Sequence, residues 1–146
     1  EKFVAPGVAV HWFLVSFDAA SLPWKAFRSE VIGATQPKDA AAGSLRAKFR
    51  DEWEALGLKE ETNYQDNAVH ASAGPLEALR ERQIWLGQDI KADPFGKALL
   101  GRGVDAARLL ELVENPELEL RDGRRGRAFD LLEDLDTPEV LDLLAA

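Results

Sequence analysis

The chain has 146 residues, of which 46% are hydrophobic, and this is enough for one folded domain with a hydrophobic core. Its formal net charge of −8 and its pI near 4.8 disfavour nucleic acid and anionic membranes as partners. The absence of cysteine excludes disulfides, thiolate catalysis and cysteine-based metal sites. No run of about 18 apolar residues is present, so no membrane span is predicted.

The first predicted elements are a strand and a helix. Glu1 stands where an initiator Met is expected, which predicts that residue 1 is a cut end. Residues 7–17 carry apolar side chains at both odd and even positions, a pattern typical of a strand buried on both faces. A helix is predicted from Ser21 to about Val31, and Gly33 is expected to end it.

The middle of the chain alternates loops with helical patterns. Small and turn-forming residues over 33–44 predict a loop that lets a ligand approach the backbone closely. Helical spacing of apolar residues predicts a helix over 45–57, followed by a polar connection over 59–66 and a short strand over 68–70. A further helix is expected to begin at Gly74-Pro75 and to share an apolar face among Leu76, Leu79, Leu86 and Ile90.

The chain changes character after residue 92. Short Leu-rich helical segments are separated by Pro and Gly residues, which predicts a helical extension over 93–146 beside a domain over 1–92. A group of arginines in the extension has acidic neighbours and is expected to form an exposed loop: Arg121, Arg124, Arg125 and Arg127.

His70 is the leading candidate for chemistry. It follows a predicted strand and precedes a turn of small residues, where strand-to-helix connections expose side chains to ligands, and Glu81 on the next helix can hold its ring. Taken alone, such a histidine is usually structural or solvated. Thr35 and Ser72 likewise often only cap turns, and Arg46 alone is typical of a solvated charge. His11 is expected in the core or between subunits.

Three blocks of sequence carry a family resemblance: GATQP at 33–37, AAAGSLR at 40–46 and NAVHAS at 67–72. They resemble, in order, the Gly-Ala-Thr-Asn-Pro, Pro-Gly-Thr-Ile-Arg and Asn-x-x-His-Gly-Ser blocks of nucleoside diphosphate kinases. Thr35 and Arg46 are eleven positions apart, as are His70 and Glu81, and both intervals match the family. The resemblance covers roughly residues 7–90.

The resemblance implies an α+β, ferredoxin-like fold, here partial and followed by the helical extension. It also implies a reaction in which the γ-phosphate of ATP passes to a nucleoside diphosphate through a phosphohistidine. His70 matches the nucleophile, Glu81 the carboxylate that orients its ring, and Ser72 the serine near the transferred phosphate. A neutral imidazole near pH 7 has a free lone pair and suits this role.

The resemblance also implies the nucleotide contacts. Thr35 and Arg46 match residues that hold the phosphates, and Asn67 matches one that touches the ribose. Arg28 corresponds to a second family arginine but stands one position out of register. Mg²⁺ is expected to bridge the phosphates with few protein ligands, so no residue is predicted as a metal ligand. The expected partners are nucleoside di- and triphosphates and further copies of the chain, in the cytoplasm.

Two departures leave alternatives open. The family's Lys-Pro-Asp-Gly block is absent, and so is the central strand that carries it, which leaves the activity of this chain alone undecided. One alternative is a non-catalytic nucleotide-binding or assembly module of the same fold. Another is that residues 93–146 form a protein-interaction device for which the remainder is a scaffold. The four tryptophans are expected in the core: Trp12, Trp24, Trp53 and Trp85.

Overall fold

The structure is a computed structural model of the chain and describes residues 5–145. The expectation about residue 1 therefore lies outside the described residues. The α-helices among them are α1 Trp24–Ala26, α2 Leu45–Asp51, α3 Pro75–Leu86, α4 Pro94–Gly101, α5 Ala106–Leu112, α6 Ala128–Leu131 and α7 Thr137–Leu144. None of the helices in this part of the chain is long and apolar enough to cross a membrane.

Two shorter helical turns and one small sheet complete the architecture. Helix α1 continues directly as a π-helical turn over Phe27–Ile32, and a 3₁₀ turn covers Pro37–Asp39. Strands β1, Glu117–Glu119, and β2, Arg125–Arg127, pair antiparallel with Leu118 opposite Gly126. Helices with a small antiparallel sheet are consistent with a partial α+β class, whereas the ferredoxin-like arrangement stays a prediction.

The helix predicted to end at Gly33 does end there. Gly33 has a φ of 97°, a left-handed conformation that favours glycine, and a Cβ at this position would lie 2.5 Å from Ser44 Oγ. Ser44 is buried and caps α2, because its hydroxyl accepts a hydrogen bond from the Ala47 amide at 3.3 Å. Helix α2 is shorter than predicted, since residues 52–57 form turns rather than a continuing helix.

Helix α3 begins at Pro75, as predicted, and carries Glu81. It ends at Gly87, which has a left-handed φ of 63°. Leu76 and Leu79 are buried, and Ile90 is also buried although it lies beyond the helix end.

Both predicted strands are wrong. Residues 8–17 form no regular structure, and most of their side chains are exposed, including Phe13 at 84%. Residues 68–70 are also irregular, and Ala68 has a positive φ of 67°, which is incompatible with a strand. Both segments lack a paired strand among the described residues, and an isolated strand leaves its backbone groups without partners.

The expected core position is wrong for Trp12 and Trp85, which are 49% exposed. His11 is exposed on the irregular segment, so it is not a core residue, and its expected place between subunits stays a prediction. Trp24 and Trp53 are half-buried. The core instead consists of aliphatic side chains.

One hydrophobic core holds α3 and the C-terminal extension together. It consists of Leu76, Leu79, Ile90, Phe95, Leu99, Val104, Leu109, Leu112, Val113, Leu120, Ala128, Leu132, Val140 and Leu141. This core crosses the predicted boundary after residue 92, and the division into two domains stays a prediction. The extension is helical as expected, but it also contains the β1–β2 hairpin. Arg121 and Arg124 lie in the exposed connection between the two strands, as predicted, whereas the other two arginines of the group lie on β2 and are also exposed.

Candidate functional site

His70, Ser72 and Glu81 form one hydrogen-bonded network. Residues 71–74 lead directly into α3, whose second turn brings Glu81 back toward His70. The His70 Nε2 atom lies 2.5 Å from Glu81 Oε1, and the Ser72 hydroxyl donates to the other oxygen, Oε2. The His70 side chain is 69% exposed, whereas that of Glu81 is 25% exposed. A half-buried carboxylate thus holds a solvent-facing imidazole.

The network changes the proton affinity of both main members. The hydrogen bond to Glu81 raises the pKa of His70, and this outweighs the opposing effects of partial burial and of the Arg46 charge. Burial tends to raise the pKa of Glu81, but the hydrogen bonds from His70 and Ser72 bring it below its usual range. The neutral fraction of His70 near pH 7 is therefore smaller than the sequence alone suggested.

Arg46 links the loop at Gly33 to the segment before His70. Its Nη1 donates to the Gly33 carbonyl at 2.8 Å, and its Nη2 donates to the Val69 carbonyl at 2.7 Å. The Nε atom is buried and has no hydrogen-bond partner. Partial burial and the nearby Arg28 charge lower the Arg46 pKa, but a guanidinium remains charged. Arg46 therefore places a positive charge beside the His70 segment.

A cleft of about 230 Å³ lies beside this network, and three of the predicted nucleotide-binding residues line it. Arg28, Thr35 and Arg46 are on its wall together with Lys25, and Ala71 connects the wall to the His70 segment. His70 itself is not among the lining residues. The predicted residues other than Asn67 thus fall into two neighbouring groups, the imidazole network and a cleft that Glu133 and Asp134 also line.

Arg28 is not free in this cleft. Its Nη1 lies 2.8 Å from Glu133 Oε1 and 2.5 Å from Asp134 Oδ1, and both carboxylates belong to the extension. Partial burial tends to lower the Arg28 pKa, but the bonds to these two acids raise it overall. The extension thus supplies two carboxylates that pair with Arg28, a residue predicted to bind phosphate.

Asn67 and Thr35 also meet. The Asn67 side-chain amide donates to the Thr35 backbone carbonyl at 3.1 Å, which ties the loop at 33–44 to the segment that carries His70. The predicted roles of both residues toward a nucleotide stay predictions.

The potential metal-binding side chains of the site do not suit Mg²⁺. The one group of three potential metal-binding side chains among residues 5–145 is His70, Glu77 and Glu81, whose donor atoms lie within 4.8 Å of one another. Mg²⁺ prefers oxygen ligands in octahedral geometry, which an imidazole does not provide. Glu77 also already accepts a hydrogen bond from the Ala73 amide. These residues therefore do not fit Mg²⁺.

Sequence reasoning missed four polar contributors to the site region. Lys25 lines the cleft, Glu133 and Asp134 pair with Arg28, and the indole of Trp24 donates to the Ser72 carbonyl. The position of Lys25, three residues before Arg28, was a usable signal because both side chains lie on one helical face. The acids lie more than a hundred positions from Arg28, so no local pattern indicated them.

Comparison with known proteins finds relatives for the middle part of the chain. Residues 25–90 match the family model described as nucleoside diphosphate kinase, and this span contains both the imidazole network and the family blocks. A nucleoside diphosphate kinase of Bdellovibrio bacteriovorus is 41% identical over 56 residues, which cover 38% of this chain and 32% of the relative. The predicted resemblance to the nucleoside diphosphate kinase family is confirmed over residues 25–90.

A second relative gives the same result. A nucleoside diphosphate kinase of Coxiella burnetii is 36% identical over 67 residues, which cover 46% of this chain and 39% of the relative. The chain thus spans less than two fifths of the length of these curated relatives. No solved structure matches the chain.

Proposed function

We propose that the protein transfers the γ-phosphate of ATP to a nucleoside diphosphate through a phosphohistidine at His70. The observation that carries this proposal is the contact between His70 Nε2 and Glu81. With Nε2 engaged, the other ring nitrogen, Nδ1, is left as the nucleophilic atom on an exposed ring.

Each half of the reaction exchanges one bond for another. The Nδ1 lone pair attacks the γ-phosphorus of ATP, an N–P bond forms, and the bond to the β-phosphate oxygen breaks as ADP leaves. A terminal phosphate oxygen of the acceptor diphosphate then attacks the same phosphorus, and the N–P bond breaks. The Nε2 proton stays on the ring throughout, because Glu81 accepts its hydrogen bond.

The cleft supports the transfer electrostatically. Phosphoryl transfer depends mainly on positioning and on stabilising negative charge, and Lys25, Arg28 and Arg46 line the cleft. Two carboxylates of the extension also line it and pair with Arg28, so the support comes mainly from Lys25 and Arg46. Arg46 is the best placed of the three because it is bonded to the residue next to His70 in sequence. Mg²⁺ that is bound by ATP itself would supply further charge stabilisation.

The finer features implied by the family belong to the same proposal. They are the ferredoxin-like arrangement, the binding of nucleoside di- and triphosphates with Mg²⁺, assembly into a homo-oligomer and a cytoplasmic location. Thr35 and Asn67 are proposed to contact the phosphates and the ribose, respectively. The match of residues 25–90 to the family supports all of them.

A second candidate is a nucleotide-binding module without turnover. The pairing of Arg28 with Glu133 and Asp134 favours binding without turnover, because it engages a cation that would otherwise stabilise the charge developed during phosphoryl transfer.

Incubation with γ-labelled ATP separates the two candidates. A phosphotransferase gives a protein-bound label that is acid-labile and alkali-stable, and His70→Ala abolishes it. His11→Ala is the matched control, because His11 is the other histidine of the chain and is exposed. Stabilisation of the protein by ATP without any label supports the binding module instead. A label that survives in His70→Ala contradicts the proposed nucleophile.

A further inference from the structure

The short segment between His70 and α3 is held from outside by two other parts of the chain. Trp24 in α1 donates its indole N–H to the Ser72 carbonyl at 3.0 Å. The Asp134 amide donates to the Ala73 carbonyl, also at 3.0 Å. Residues 132–136, named here the clamp loop, connect α6 to α7 in the extension.

The clamp loop also fixes Trp24. Asp136 Oδ1 accepts a hydrogen bond from the Trp24 backbone amide at 2.7 Å, and the Asp136 amide donates to Glu139 in α7 at 3.0 Å. The Phe17 ring packs against the indole with ring centroids 5.4 Å apart. The indole is therefore held on both its polar and its apolar sides.

Packing leaves the segment little room to move. A Cβ on Gly74 would lie 2.8 Å from the Leu132 carbonyl oxygen, so the clamp loop lies directly against the backbone that precedes α3. Ser72 is thus restrained through its own carbonyl by Trp24, and its neighbours are restrained by the clamp loop.

We propose that Trp24 is a positioning residue for the His70 site, and that the clamp loop of the extension holds it in place. This role rests on the function proposed above. Trp24 fixes the Ser72 backbone, so that the Glu81 carboxylate can accept hydrogen bonds from the Ser72 hydroxyl and the His70 ring at the same time. Neither Trp24 nor Asp136 touches the reacting atoms.

The physical reason lies in the geometry of Glu81. Its two oxygens bond two different side chains, so the carboxylate reaches both only while Ser72 and His70 keep their spacing. Loosening of the Ser72 backbone removes one of the bonds and lets the carboxylate rotate away from Nε2. A displacement of about 1 Å in such a site is enough to lower a rate markedly.

Trp24→Phe is the decisive variant, because it keeps an aromatic ring and removes the N–H donor. The first readout is the titration of His70 by NMR, which does not depend on phosphoryl transfer. The charges that act on His70 are those of Glu81, Glu77 and Arg46, and all three remain in the variant. We expect the His70 midpoint to fall toward that of free imidazole, whereas Trp85→Phe, at an exposed indole, leaves it unchanged.

The second readout is the rate of labelling by ATP. We expect Trp24→Phe to lower it about fivefold, as for loss of one hydrogen bond, with no change in the ATP concentration that gives half the maximal rate. If the unmodified protein is not labelled, the proposed function fails, but the shift of the His70 midpoint still tests the positioning role.

Hydrogen exchange in the unmodified protein gives a test that needs no variant. The indole proton of Trp24 is expected to exchange at least about tenfold more slowly than that of Trp85, because it is bonded to a backbone carbonyl. Equal exchange rates for the two indoles overturn the proposal, and so does an unchanged His70 midpoint in a folded Trp24→Phe protein.

Discussion

The two nitrogens of the His70 ring have different surroundings. Nε2 faces Glu81, and the ring as a whole is largely exposed. The contact stabilises the protonated ring and raises the His70 pKa, while it also fixes which nitrogen keeps a proton when the ring is neutral. The Glu81 carboxylate therefore both orients the ring and raises the pH at which the ring loses its proton.

The rate of phosphorylation at His70 is expected to rise with pH. Only the neutral ring offers an Nδ1 lone pair, so the rate increases as the pH passes through the folded-state pKa of His70. Because Glu81 raises that pKa, the midpoint is expected above the ordinary value of about 6.5. Single-turnover labelling between about pH 5 and pH 9 measures it.

Glu81→Gln supplies the control for this pH profile. The amide removes the negative charge that favours the imidazolium, so the midpoint is expected to move to lower pH. A midpoint in the unmodified protein at or below the ordinary imidazole value, or one that Glu81→Gln leaves in place, would contradict the assigned role of Glu81.

The sequence indicated the pair of His70 and Glu81 but not the distant residues that surround the site. The family resemblance implied that Glu81 orients the His70 ring, and the two side chains do meet. The partners of Arg28 come from Glu133 and Asp134, which only the tertiary fold brings near. Whether the predicted residues act on a nucleotide stays a prediction.

Among the elements, the loop that precedes α2 depends on Gly33. Gly33→Ala adds a Cβ at a φ of 97° and only 2.5 Å from the buried Ser44 hydroxyl. We expect a loss of about 3 kcal/mol in the free energy of unfolding, measured with urea, because strain and a clash act together.

Gly57→Ala is the matched control for Gly33→Ala. Gly57 also has a positive φ, 76°, but a Cβ added there would meet nothing within 4 Å, so only backbone strain of about 1 kcal/mol is expected. Equal losses for the two variants would show that the contact with Ser44 does not matter.

Helix α4 is joined to α3 by an ion pair at a buried carboxylate. Asp93 is fully buried, bonds Arg82 Nε at 2.6 Å, and accepts the Phe95 amide at 2.8 Å as the cap of α4. Asp93→Ala leaves Arg82 without its partner and α4 without its cap. A loss of about 3 kcal/mol in the free energy of unfolding is expected.

An exposed pair provides the comparison for Asp93. Asp142→Ala breaks the contact between Arg102 and Asp142, whose side chains are 49% and 70% exposed. A loss of less than about 1 kcal/mol in the free energy of unfolding is expected.

Burial tends to raise the Asp93 pKa, but the bonds from Arg82 bring it below its usual range. The stability that Asp93 supplies is therefore present above its unfolded-state pKa and is lost as the pH falls through its lower folded-state pKa.

Helices were predicted better than strands because their signals are local. Gly33, Gly74-Pro75 and the caps of α2 and α4 act within a few residues, and each marks a helix boundary in the structure. A strand requires a partner elsewhere in the chain, so an apolar run such as 8–17 shows only that the segment favours burial. The β1–β2 hairpin was missed for the opposite reason, since its strands are short and largely charged.

The stability of the fold depends on a hydrophobic core that α3 shares with the extension. Most of the buried side chains in this core lie beyond residue 92. Removal of residues 93–146 exposes the apolar face of α3, and we expect the remaining fragment to lose its cooperative urea transition. Circular dichroism across a urea titration measures this.

Removal of residues 1–16 is the corresponding control. Residues 5–16 are exposed throughout, so their loss is expected to leave the cooperative transition in place. A cooperative transition in the fragment that lacks residues 93–146 would mean that the extension is a separate unit and that the shared core does not determine stability.

A carrier role for His70 is tested by following the phosphoryl group through both transfers. The protein is labelled with γ-labelled ATP, freed of nucleotide and then mixed with unlabelled GDP. If His70 is a phosphoryl carrier, the label leaves the protein and appears in GTP, while His11→Ala behaves like the unmodified protein and His70→Ala neither takes up nor passes on label. Label that remains on the protein after addition of GDP, or that reaches GTP in His70→Ala, would contradict a carrier role for His70.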